Sequence, residues 1–174
     1  MSDLQLTTER LVLRRMTLGD APALHPTFSD PEAMRFWSTL PHESLAVTEA
    51  WVAATIASVI AGEADDFAVV LNGAVIGKAG LWKGKEIGVI LSRGAWGRGL
   101  ATEALRAAIN HGFSQGIDCI TADIDPRNLS SQRLFRKLGF RHTGSEKATF
   151  LIGEEWADSD FFALTAGDWS AVRS

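Results

Sequence analysis

The chain has 174 residues, of which 46% are hydrophobic, and a formal net charge of −4. This length suits one domain, residues 1–174, with a substantial core, and the charge implies no general affinity for nucleic acid. No run of about 18 apolar residues predicts a membrane span, and the single cysteine, Cys119, excludes an intramolecular disulfide and a cysteine-cluster metal site.

Residues 1–15 mix Asp3, Glu9 and arginines with apolar residues, unlike a secretory signal, so a cytoplasmic location is expected. Residues 10–14 predict a first strand. Thr17 and Asp20 form a capping box whose helix should end before Pro26. Asp30-Pro31-Glu32 combines a cap with proline at the first helical position and predicts a second helix. Ser44 caps a third, on which Val47, Trp51 and Thr55 share a face, ending near Gly62. Residues 67–71 and 74–81 form a hairpin around Asn72-Gly73. Lys83-Gly84-Lys85 then turns the chain into a strand over 86–91. A glycine-rich stretch and a helix ending near Gly116 follow. Residues 117–125 predict a strand parallel to 86–91, with Ile120, Ala122 and Ile124 on one face and Cys119, Thr121 and Asp123 on the other. A short helix over 130–138 stops at Gly139. Strands over 148–152 and 160–164 follow, and Thr165 to Asp168 cap a last turn. The order describes an α/β chain, a mixed and mostly antiparallel sheet with helices on both faces.

The stretch Trp96-Gly97-Arg98-Gly99-Leu100-Ala101-Thr102-Glu103-Ala104 joins a buried strand to the main helix. Glycines allow a tight turn and close approach of a ligand, and the first helical N–H groups have no partner within the helix. Together they make a seat for phosphate, with Arg98 at its rim. A Walker A loop would need Gly-Lys-Ser/Thr here, and a dinucleotide fingerprint would need glycine where Thr102 stands. An ordinary glycine turn without a ligand is the plain alternative. Gly97-x-Gly99-x-Ala101 resembles the pyrophosphate loop of the GCN5-related N-acetyltransferases (GNAT), with Trp96 where that family usually has Gln or Arg. The whole stretch, with Thr8-Glu9-Arg10-Leu11-Val12-Leu13-Arg14, is similar to the RimJ/RimL-like branch that acetylates protein N-termini, ribosomal proteins included. Asn128 to Phe140, with its Asn-x-x-Ser start and Leu-Gly-Phe end, resembles the helix that flanks the pantetheine arm in that family.

The resemblance implies the GNAT fold, with a splayed central parallel pair of strands and acetyl-CoA as cosubstrate lying between them. The pantetheine arm would pair with backbone of Val89, Ile90 and Leu91, the pyrophosphate would meet Gly97, Arg98, Gly99, Leu100, Ala101 and Thr102, and Asn128 would bond the arm. Val89 and Leu91 suit the core in either case, and Asn128 could be only a turn residue.

Acetyl transfer to an amine needs a proton acceptor, a donor to the developing oxyanion, and help for the leaving thiolate. Asp123 and Glu86 are the candidate bases, each also readable as a surface acid. The N–H near Ile90 or Leu91 is the candidate oxyanion donor. Many members of the family carry a tyrosine where this chain has Phe135, and the chain has no tyrosine. Ser131 is the nearest hydroxyl for the thiolate, or it merely caps its helix. Phe36, Trp37, Trp82 and His42 are candidates for the acceptor wall, although aromatics at such spacing are commonly core. His111 is expected at the surface. No histidine pair has metal-ligand spacing, so no metal is expected. The acceptor is expected to be a protein or peptide N-terminal amine, or alternatively a small amine such as an antibiotic, polyamine or amino acid. A non-catalytic acyl-CoA sensor and the choice between monomer and homodimer stay open; neither nucleic acid nor membrane is an expected partner.

Overall fold

In the computed structural model, residues 4–172 are described. They form one eight-stranded sheet flanked by helices. Strands β1 (Gln5–Thr7) and β2 (Leu11–Arg15) pair antiparallel, and β2 continues onto β3 (Ala64–Leu71), β4 (Ala74–Trp82) and β5 (Glu86–Leu91). Asn72 and Gly73 both have positive φ, 50° and 82°, the twist a two-residue hairpin turn requires. β6 (Cys119–Ile124) lies parallel to β5; β8 (Glu155–Thr165) pairs with β6, and β7 (Arg141–Ile152) takes the edge. The sheet order is β1-β2-β3-β4-β5-β6-β8-β7, with β5–β6 the one parallel pair among the described strands.

Helices α1 (Ala21–Phe28) and α2 (Leu45–Ile60) cover one face. Leu24, Phe28 and Val52 pack there on Ala68 and Ile90 of the sheet. The other face carries α3 (Leu100–Ser114) and α4 (Leu129–Lys137), and α5 (Ala166–Val172) ends the chain. The apolar stripe of α3 enters two clusters: Leu100 and Ala104 meet Leu13, Phe67 and Val69, whereas Leu105 and Ile109 meet Ile120, Ile124 and Phe135. The burial of β6 alternates as its sequence predicts, with Ile120, Ala122 and Ile124 beneath α3 and α4. Asp123 therefore faces the side of α1 and α2. On β5, Ile90 packs toward that same side, which puts Glu86, four residues earlier, on it too.

Several expectations need correction. Residues 31–36 form turns rather than a helix: Met34 N–H bonds Asp30 O at 3.0 Å, but Arg35 and Trp37 N–H then reach back only three residues, to Glu32 O at 3.4 Å and Met34 O at 2.9 Å, although Met34 itself is buried in the core. Pro26 lies inside α1; it is exposed and removes only one helical bond, and Ser29 N–H still reaches His25 O at 2.8 Å. On α2 the buried stripe is Thr48, Val52 and Thr55, while Val47 faces solvent. The tail strands are far longer than 148–152 and 160–164, because β7 begins directly after Phe140 and pairs along most of β8. The short strand β1 was not expected. His111 is not at the surface. Its ring packs edge-on to Phe67 at 5.5 Å, and its Nε2 bonds Asp65.

Candidate active site

β5 and β6 share one aligned pair, Glu86 with Thr121, and Thr121 N–H donates to Lys85 O at 2.9 Å. Past that pair the register stops and the strands part. A cavity of ≈ 460 Å³ opens beside the parting, within the range of small-molecule sites. Gly88 and Val89 of β5, Asp123 and Ile124 of β6, and Asn128 and Ser131 at the start of α4 all line it. α2 contributes Trp51, Ala54, Thr55 and Ser58, and the β7–β8 hairpin contributes Phe150, Ile152 and Ala157.

At the far end of β5 the chain enters the glycine turn. Gly97 and Gly99 have φ of 68° and 75°, a conformation open to glycine and strained for other residues. Trp96, in the position of the family's Gln or Arg, donates its indole N–H to Leu91 O at 2.8 Å and ties the turn to the strand. The first α-helical bond of α3 runs from Glu103 N–H to Gly99 O at 3.1 Å, so the N–H groups of Leu100, Ala101 and Thr102 precede it. A Cβ added to Gly97 would meet nothing within 4 Å, so the space before the turn is open. Arg98 is exposed at its rim and Leu100 is fully buried beneath it. These features fit a diphosphate. The side chains of Val89, Ile90 and Leu91 serve the core, leaving only backbone for an arm in the gap.

Asn128 caps α4, its Oδ1 accepting from Ser131 N–H at 3.1 Å. The plain reading of Asn128 thus describes its oxygen, and its amide nitrogen is the end that a ligand can use. Ser131 is half-buried in the cavity wall, one turn before Phe135.

The cavity is lined by five carboxylates and one lysine. Asp66 pairs with Lys78 at 2.7 Å, both side chains buried. Asp125 pairs with Arg127 and Asp158 with Lys147, each at 2.7 Å. Partial burial pushes the Asp125 carboxyl up, but the hydrogen bonds from Arg127 outweigh it and hold that carboxyl below the usual range. Glu86 and Asp123 have no ion pair among the described residues. Burial pushes both carboxyls upward. The charge of Asp123 raises Glu86 further while Lys83 opposes it, and Asp123 is also raised by Asp125, Asp160 and Glu146 against a hydrogen bond from Ser159. Carboxyls whose pKa is raised in this way are better proton acceptors than free ones and suit proton transfer.

Phe36, Trp37 and Trp82 line the cavity, and Trp82 is 43% exposed at its mouth. Lys78 Nζ sits 5.3 Å from the Trp37 ring centre. His42 is not brought to the cavity. It is buried and stacked on Phe28 at 5.0 Å, with Nδ1 2.9 Å from Thr48 Oγ1. Burial, with nearby His25, pushes its ring below the ordinary histidine range. Sequence reading missed Trp51, Phe150 and the Asp66–Lys78 pair; a lysine inside an apolar strand was the one available signal for the last.

A strand, a glycine turn and a helix beside two parting parallel strands already narrow the family. The sequence profile of the acetyltransferase (GNAT) domain matches residues 10–141. The chain belongs to the GNAT acetyltransferase family. As a GNAT protein it is an N-acetyltransferase, and the family uses acetyl-CoA. It is 33% identical over 148 residues to the N-acetyltransferase p20 of Bacillus licheniformis, covering 80% of this chain and 83% of that one. The [ribosomal protein uS5]-alanine N-acetyltransferase of Escherichia coli is 41% identical over 78 residues, 44% of this chain and 40% of its own. Mycobacterium smegmatis RimJ in complex with CoA-disulfide has the same fold, with a TM-score of 0.83 at 22% identity over 95% of this chain and 89% of RimJ. Among the described residues no group of His, Cys, Asp and Glu could hold a metal, and no helix is long and apolar enough to cross a membrane.

Proposed function

We propose that this GNAT domain, taken as one unit over 1–174, transfers an acetyl group from acetyl-CoA to the N-terminal amine of a protein or peptide by direct attack on the thioester. One observation carries the reading: a single cavity touches the open β5 backbone, the start of α4 and two carboxylates that have no ion-pair partner among the described residues. The matches to the uS5-alanine enzyme and to RimJ support an N-terminal acceptor in particular. Acetyl-CoA supplies the activated acetyl group. Val89, Ile90 and Leu91 offer backbone to its arm, Gly97 to Thr102 offer N–H groups to its diphosphate, and the amide nitrogen of Asn128 holds the arm. Asp123 or Glu86 removes the proton that the acceptor nitrogen loses. The N–H near Ile90 or Leu91 donates to the carbonyl oxygen as charge develops there. With no tyrosine in the chain, Ser131 donates a hydrogen bond to the departing sulfur. Phe36, Trp37 and Trp82 form the acceptor wall, and the two unpaired carboxylates favour an acceptor that arrives as a cation.

A small amine is the second reading, favoured by the cavity's size. A thiol-release assay separates the two. Peptides with free N-termini should gain one acetyl group by mass spectrometry as CoA is released from acetyl-CoA, whereas N-terminally blocked peptides should not. Release with small amines alone would move the assignment to the second reading. Binding without release for any amine would make the domain a sensor. For the cofactor loop, Gly99→Pro imposes the wrong φ and removes a donor, so calorimetry should show acetyl-CoA affinity lost in a folded variant. Unchanged affinity would place the diphosphate elsewhere.

A further inference from the structure

Arg10, just before β2, reaches across to the start of α3. Its Nε donates to Glu103 Oε2 at 2.7 Å and its backbone N–H donates to Glu103 Oε1 at 2.7 Å. Its Nη1 donates to the carbonyl oxygen of Arg98 at 2.8 Å, inside the glycine turn. Thr8 Oγ1 donates to Glu103 Oε1 at 2.6 Å. Partial burial pushes the Glu103 carboxyl up, but these bonds outweigh it and keep the group below the usual range, so it is ionised.

Two consequences follow from elementary chemistry. An ionised carboxylate in the first turn of α3 would repel a phosphate at the same helix end, and the Arg10 guanidinium cancels that charge. The peptide joining Arg98 to Gly99 is trans and planar, so its C=O and N–H point in opposite directions. Holding the Arg98 carbonyl on the Arg10 side turns the Gly99 N–H away from Arg10. The position of a Cβ on Gly99 lies 3.5 Å from Arg10 Nη2, which sets the guanidinium directly behind that residue.

We propose that Arg10 is a positioning residue for the diphosphate of coenzyme A: it clamps the Arg98 carbonyl and neutralises Glu103, so that Gly99 N–H and the open end of α3 face the ligand as donors. The inference rests on the glycine turn being the diphosphate seat, and Arg10 itself acts without touching the ligand.

Calorimetry with CoA, and kinetics with S-acetylpantetheine, which lacks the diphosphate, test it. Arg10→Gln should weaken CoA binding by roughly tenfold to a hundredfold, the effect of losing charge-assisted hydrogen bonds. It should leave kcat/KM for S-acetylpantetheine unchanged. Arg10→Lys keeps a charge beside Glu103 without the planar fork and should lose less. Adding Glu103→Gln to Arg10→Gln should recover part of the CoA affinity, because the uncompensated charge disappears. Wild-type CoA affinity in folded Arg10→Gln or Arg10→Lys would overturn the proposal. Equal losses for CoA and S-acetylpantetheine would also overturn it, since Arg10 would then act through the fold as a whole. Gly99→Pro serves as the control on the loop: if its CoA affinity is unchanged, the diphosphate seat itself is misassigned, whatever Arg10 does.

Discussion

Asp20, Asp66 and Glu103, in the half of the molecule built on β1–β5, each form an ion pair, whereas Glu86 and Asp123 at the parting of β5 and β6 form none among the described residues. Asp20 accepts from both terminal guanidinium nitrogens of Arg14, at 2.7 and 2.8 Å, and from the N–H of Thr17 at 2.7 Å. Burial alone would push its carboxyl up; those bonds hold it down. Glu86 and Asp123 are pushed up by burial, and neighbouring negative charge adds to the push. Paired carboxylates stabilise the fold by staying ionised, and unpaired ones at a cavity are ready to exchange a proton.

The largest expected effect is on rate. Removing the true base, by Asp123→Asn or Glu86→Gln, should lower kcat/KM by about 10²–10⁴ at neutral pH. The deficit should shrink at high pH, where the amine is already neutral. Because both carboxyls are raised, the acidic limb of the wild-type profile should lie above the range of a free carboxylate. Full activity in both variants at neutral pH would leave deprotonation to solvent and erase the functional half of the contrast.

Next comes Lys78→Met, which strands Asp66 in a buried site. A loss of about 3–5 kcal/mol is expected by urea unfolding, and adding Asp66→Asn should recover much of it. A Lys78→Met protein of wild-type stability would show that this pair does not hold the fold.

The smallest effects should have opposite signs. The depressed Asp20 carboxyl contributes stability above its unfolded pKa and loses it as pH falls through the folded value. Asp20→Asn should therefore cost about 1–3 kcal/mol at neutral pH, and less as the solution is acidified. The raised Glu86 carboxyl works the other way: its favourable contribution is complete below the unfolded pKa and disappears as pH rises through the folded value. Glu86 is exposed, so solvent screens the effect; Glu86→Gln should therefore raise neutral-pH stability only slightly, with the gain vanishing as pH falls below the unfolded pKa. Thermal melts of both variants across pH check the signs, and a common sign would contradict the electrostatic contrast.

The glycine turn and α3 were legible because Gly97, Gly99 and the stripe from Leu105 to Ile109 are local signals. The facing of Asp123 followed from strand alternation for the same reason. What escaped depended on distant partners. Arg10 and Glu103 lie 93 residues apart, and no spacing rule joins them. His42 looks like a loop histidine until Thr48 and the Phe28 ring are folded against it. The insertion of β8 between β6 and β7 is set by tertiary packing, which the two tail runs do not encode on their own. Asp30-Pro31 carries sound capping chemistry, yet one four-residue bond followed by three-residue turns does not propagate a helix.

The single aligned pair between β5 and β6 also bears on the pace of turnover. Beyond Glu86 and Thr121 two strand edges look into the gap, and their peptide groups must be served by water whenever nothing else lies between them. Each catalytic cycle would then dry those edges and wet them again. Release of the spent thiol becomes a hydration event as much as a dissociation, so its speed should respond to solvent viscosity and osmolytes independently of the bond-making step.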